Sequence, residues 1–151
     1  LAEAGAYLKQ DKRPEALAVF DALAADASAD PLLTNFARMQ AAALRLGEAD
    51  FTEMENRLKP LTADDSPWRF TARELLGSAA LKAGKLDEAR AVLTPLLADP
   101  GLGQSAGERI HRLMARLATA ELAGAPAASP TASAPAASAP AQDAETPAPA
   151  P

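Results

Sequence analysis

Few residues in this chain are of the types that do chemistry, and their spacing decides what each can be. There is one histidine, His111, and no cysteine. A Cys–His pair is therefore impossible, and a Ser–His–Asp triad has a single candidate base. His111 sits between Ile110 and Arg112 with no second ligand at metal spacing, so it is read as a solvated or half-buried structural side chain. Asp64 and Asp65 are adjacent carboxylates, and Glu53 and Glu55 form a second acidic cluster. Glycosidase-like acid–base work needs two carboxylates held in a cleft with their pKa values pushed apart. Asp64 and Asp65 instead fall in a short connector ahead of a helix, where the helix dipole favours negative charge. No nucleophile elbow, P-loop or Gly-rich dinucleotide turn is present. The expectation is a protein without a catalytic, metal or cofactor site, and so not an enzyme. Trp68, the sole tryptophan, suits either an interface anchor or packing between neighbouring helix pairs, and packing is the preferred reading. Phe70 is expected to share that role.

Composition narrows the remaining classes. From Ala125 to Pro151 the sequence is almost wholly Ala, Pro, Ser and Thr, with seven prolines and neither an aromatic nor a branched aliphatic residue. Such a stretch cannot bury enough apolar area to offset the entropy of ordering it, so residues 125–151 are expected to be a disordered Pro/Ala/Ser-rich tail. Residues 1–124 remain as one domain with a modest core. Net charge is −5, and −3 over residues 1–124, because Asp143 and Glu145 are the tail's only charges. This mild acidity, without a basic face interleaved with aromatics, argues against nucleic acid as a partner. No run of about 18 apolar residues is long enough to span a membrane.

The elements that carry these residues read as helices. Ala and Leu abound, β-branched residues are scarce, and nothing alternates with period two. Asp30-Pro31 and Ser66-Pro67 read as N-caps followed by proline at the first helical position. Asp50…Glu53 and Ser105…Glu108 have capping-box spacing, and Gly47, Gly84 and Asp99-Pro100-Gly101 mark ends. The expected helices cover about residues 1–10, 14–26, 31–46, 50–62, 67–83 and 86–98, with a last one near 105–123. The first six pair into similar units. Leu58-Lys59-Pro60-Leu61 aligns with Leu93-Thr94-Pro95-Leu96, 35 residues on, and in that register Arg38 falls on Arg73. Two late prolines in the same phase predict the same bend in both units. A two-helix period near 34 residues is tetratricopeptide (TPR) spacing. Leu76-Gly77, Gly84, Ala89 and Leu93 occupy signature positions of the third unit, and Tyr7, Ala16, Phe20 and Leu23 those of the first. Met54 replaces the small residue of the second unit, which predicts looser packing there. The fold class expected is all-α: about three TPR-like helical hairpin repeats, then an amphipathic capping helix. Unit 1 lacks the first residues of its opening helix in this register, which suits an upstream segment having been removed.

The run from Phe51 through Leu97, FTEMENRLKPLTADDSPWRFTARELLGSAALKAGKLDEARAVLTPLL, resembles the periplasmic TPR-like domain of the ancillary SecYEG translocon subunit family, in its alphaproteobacterial form. Most of the likeness lies in RLKPLTADDSPWRFTARELL (Arg57–Leu76), and YLKQDKRPEALAVFDALAAD (Tyr7–Asp26) fits the first repeat more loosely. It covers roughly residues 1–122. The resemblance implies a location on the periplasmic side of the bacterial inner membrane, tethered by an anchor absent from this sequence. It also implies association with the Sec translocon, with a periplasmic peptidyl-prolyl isomerase-type chaperone and with exported clients.

Carrying the family's groove positions onto this chain gives a protein-binding groove of Phe36, Met39 and Ala43 in unit 2, and Thr71, Glu74, Ser78 and Lys82 in unit 3. Gly5, Leu8 and Lys9 would extend it into unit 1. On periodicity alone Phe36 and Met39 are equally well read as core. Two other readings stand beside the Sec-associated scaffold: an envelope TPR scaffold for cell-wall or outer-membrane assembly, and a structural module that self-associates as a homo-oligomer through its N-terminal end.

Overall fold

A computed structural model describes residues 1–124; the tail reading for 125–151 lies outside the described residues. Seven α-helices follow one another: α1 Ala2–Lys9, α2 Arg13–Ala25, α3 Pro31–Arg45, α4 Phe51–Leu58, α5 Arg69–Lys82, α6 Leu86–Ala98 and α7 Gln104–Gly124. A 3₁₀ turn, Lys59–Leu61, extends α4. Among the described residues there is no strand, and no helix is long and apolar enough to cross a membrane.

Local chemistry explains most boundaries. The Asp30 carboxylate accepts from the Leu32 N–H at 2.7 Å and the Asp50 carboxylate from the Glu53 N–H at 2.8 Å, each supplying a partner to an orphan donor. Three expectations need correction. Ser66 caps only a turn: its hydroxyl accepts from the Trp68 N–H, and α5 starts at Arg69. Ser105 does not precede α7 but lies within its first turn, where its carbonyl accepts from Arg109. The two late prolines do not bend their units alike, since α4 passes into the 3₁₀ turn at Lys59 while α6 runs through Pro95 to Ala98.

Each helix packs on the next, and α3 also touches α5, which touches α7. The core is correspondingly a row of clusters. Ala4, Ala16, Phe20, Ala37 and Ala41 fill the α1–α3 end. Met39, Met54, Leu58, Leu61 and Leu76 fill the middle, and Leu93, Leu96, Ile110 and Leu113 the α6–α7 end. Each of these clusters joins elements that follow one another in the chain.

Several residues 35 or 38 positions apart are buried alike. Ala16, Met54 and Ala89 are fully buried, and so are Leu58 and Leu93, with Phe20 at 4% exposure. Met54 is thus accommodated as core, although α4 meets α3 over a shorter stretch than α6 meets α5. On the facing helices the matching positions are Ala4, Ala42 and Gly77, all buried and all small. Gly77 is the tightest: a Cβ there would lie 2.5 Å from Leu93 Cδ2 and 2.6 Å from Cγ. The α1–α2 and α5–α6 turns also match, 73 residues apart. Asp11 and Gly84 have φ of 58° and 69°, and the Lys12 and Lys85 N–H groups donate to Tyr7 O and Ala80 O, both at 2.9 Å. This is a left-handed helix terminus that favours glycine. The middle turn differs: Arg45 O accepts from both Glu48 and Ala49 N–H, and the Asp50 cap does the rest.

Leu93→Ala should destabilise the fold by about 2–5 kcal/mol, the usual cost of a large-to-small change in a core. Gly77→Ala should lower the melting temperature in the wild-type background, where the methyl overlaps Leu93. In the Leu93→Ala background it should raise it, because alanine is the better helix former by about 1 kcal/mol. Thermal denaturation of the four proteins checks this change of sign.

Candidate protein-binding face

Because α3, α5 and α7 lie in sequence side by side, the groove positions on α3 and α5 divide by what each side chain is already doing. Ala43 and Thr71 are exposed and make no side-chain bond to another element. Phe36 is half-buried, with its ring centroid 6.3 Å from that of Trp68 and tilted 56° to it. Met39 is core, at 4% exposure. Glu74 is held by the Arg109 guanidinium of α7 through two bonds of 2.7 and 2.9 Å. The Ser78 hydroxyl donates to Glu74 O, one turn back on its own helix. Lys82 donates to Gly47 O beyond the end of α3. Glu74 and Lys82 therefore act as ties between neighbouring helices, one toward α7 and one toward α3. In the first unit Gly5 is half-buried, while Leu8 and Lys9 are exposed.

Arginines make the other ties. Arg38 donates to Ala24 O at the end of α2 and to Asn35. Arg73, 35 residues on, donates to Thr62 O just past the 3₁₀ turn and to Asp64. In both, a guanidinium on one helix satisfies an orphan carbonyl at the end of the preceding one. The phase of these two arginines was visible in the sequence, but their acceptors are not. A third set links α2, α3 and α4: Asp21 accepts from Arg57 at 2.5 Å, Arg57 donates to Glu53 at 2.9 Å, and Arg45 grips Glu53 at 2.9 and 3.0 Å. The hydrogen bonds from Arg45, joined by the one from Arg57, hold the Glu53 carboxyl at about 2, well below its ordinary 4.5, against the opposing effect of burial.

The residues with chemical potential are dispersed. His111 is exposed on α7, Asp64 is paired with Arg73, and Glu53 belongs to the ion-pair network. Among the described residues no three His, Asp or Glu side chains converge as a metal-holding group would. Trp68 packs against the middle cluster and against Phe36, so it joins the second and third helix pairs. Phe70 does not share that place; it packs toward α6 and α7, with the Arg69 guanidinium 4.1 Å over its ring. Leu32 and Leu33, absent from the groove positions, are 61% and 41% exposed at the start of α3. Their position directly after the Asp30-Pro31 cap was the available signal, since side chains in a first turn project past the packed part of a helix pair.

The chain matches no known family model, and no curated protein or solved structure is similar to it.

Glu53 yields a pH prediction. Its pKa is lowered by folding, so its stabilisation is complete above about pH 4.5 and is lost as the pH falls toward 2. The melting temperature of the wild type should exceed that of Glu53→Gln at pH 7, and the gap should close steadily between these limits. A gap that is constant with pH would show that the network does not hold the charged form.

Proposed function

We propose that this chain is a TPR-like protein–protein interaction scaffold, tethered at the periplasmic side of the bacterial inner membrane, that works beside the Sec translocon and periplasmic chaperones during protein export. The observation that carries the scaffold reading is the row of neighbouring helices α3, α5 and α7, tied by Lys82 to Gly47 O and by Glu74 to Arg109. Ties of this kind fix the spacing of adjacent helices and leave their remaining side chains for other polypeptides. Support for the repeat comes from the matched left-handed turns at Asp11 and Gly84 and from the small-against-large positions in each helix pair. The translocon and chaperone as partners rest on the resemblance of residues 1–122, and on nothing in the geometry.

Ala43 and Thr71 are the positions to test, because both are exposed and neither holds the fold together. A photo-crosslinking amino acid placed at each, in the full-length gene in its native host, should give adducts with translocon subunits and with a periplasmic isomerase-type chaperone. Adducts confined to cell-wall or outer-membrane assembly proteins would replace the Sec assignment with the envelope alternative. Adducts only with a second copy of the chain would replace both.

A further inference from the structure

We propose that the edge formed by the α2–α3, α4–α5 and α6–α7 connectors docks a polypeptide segment in which Lys or Arg alternates with apolar residues, seated on Leu32, Leu33, Phe36 and Trp68. The inference deepens the scaffold reading by naming the chemistry of one ligand, and it rests on that reading.

The three connectors share one edge. Arg38 of α3 reaches Ala24 O where α2 ends. Phe36, near the start of α3, meets Trp68 in the α4–α5 connector. Arg69, at the start of α5, pairs with Asp99 where α6 ends. Along this edge Leu32 and Leu33 are 61% and 41% exposed, and Phe36 and Trp68 are half-buried. Leu32 and Leu33 lie four and three residues before Phe36, so all three share one flank of α3. Phe36 carries this flank to the Trp68 ring, and the two aromatics are of the kind that anchor interfaces.

Charge selects the occupant. Residues 26–30, 62–68 and 99–103 contain five aspartates and no lysine or arginine. Arg73 and Arg69 neutralise Asp64 and Asp99. Asp26 and Asp30 are bonded to a hydroxyl and to backbone N–H groups, with no cation paired to either among the described residues, and Asp65, three residues before Trp68, is exposed; against these three stands Arg38, half-buried and bonded to the neutral acceptors Asn35 and Ala24 O. An apolar patch with a negative rim complements a cationic amphipathic segment. It repels an anionic lipid surface, and it repels a second copy of a chain whose net charge is −5.

Trp68 reports on this site directly, being the only tryptophan. A short synthetic peptide alternating Lys with Leu and lacking Trp is titrated at low salt against the chain, beside a counterpart with Glu for Lys. The Lys peptide should change Trp68 emission saturably, with affinity falling as salt rises, and the Glu peptide should not. The double variant Leu32→Ser/Leu33→Ser should keep its circular dichroism, since both side chains are exposed, and lose about tenfold or more in affinity. Absence of binding, equal binding of the two peptides, or unchanged affinity in the leucine variant overturns the proposal. Binding of the chain alone, without peptide, to vesicles of anionic lipid, or a doubling of its mass, either one abolished by the leucine variant, assigns the patch to a membrane or to a second copy and equally overturns it. If the crosslinks from Ala43 and Thr71 to translocon subunits persist while the titration fails, this inference falls and the scaffold reading stands.

Discussion

The arrangement depends on the close approach of α5 to α6, where Gly77 leaves no room for a Cβ against Leu93. A large side chain on one helix needs a small residue opposite, because interiors are packed to the density of organic crystals and the pair cannot separate without opening a void. The same relation recurs along the chain: Ala4 shares a cluster with Phe20, and Ala42 shares one with Leu58. Where the facing residue is alanine, the approach is set by one methyl; where it is glycine, by none. The third helix pair is accordingly joined along the greater part of both helices. The second pair, with short α4 and its 3₁₀ extension, is joined more briefly and leans on the Asp21–Arg57–Glu53–Arg45 network.

That division of labour follows from how the core is divided. A core split into clusters, each joining only neighbours, gives no element the support of a single large interior. Helix ends then matter more, since each leaves carbonyls without intrahelical partners. Arg38 and Arg73 meet this need at two junctions and Lys82 at a third. These bonds are partly exposed, and an isolated surface pair contributes little. Their effect on geometry is larger than on stability: they fix which faces of successive helices line up, and so which side chains are left over as surface.

What is left over differs between the two candidate surfaces. Along α3 and α5 the groove positions other than Phe36 are small, already bonded or, in the case of Met39, buried in the core. At the connector edge the exposed groups are large and apolar with acidic neighbours. The first surface suits broad, shallow contact. The second has anchors.

The sequence by itself determined the helices and their order. Helix signals are local: an Asp beside the N–H it caps, a glycine in a left-handed turn, apolar residues every three or four positions. All of them sit within a few residues of the element they specify. Hence the expected seven helices match the observed ones to within two residues at most boundaries, and the Asp30, Asp50 and Gly84 signals act as read. Only the tertiary structure decided the fate of the long polar side chains. Whether Glu74 faces a partner or Arg109, and whether Lys82 reaches solvent or Gly47 O, depends on residues 35 positions away. It also decided that Met39 is interior while Leu32, with equal apolar character, is surface. Periodicity gives the angle of a side chain around its helix, but burial depends on where the neighbouring helix begins and ends, and that is fixed only when the helices pack.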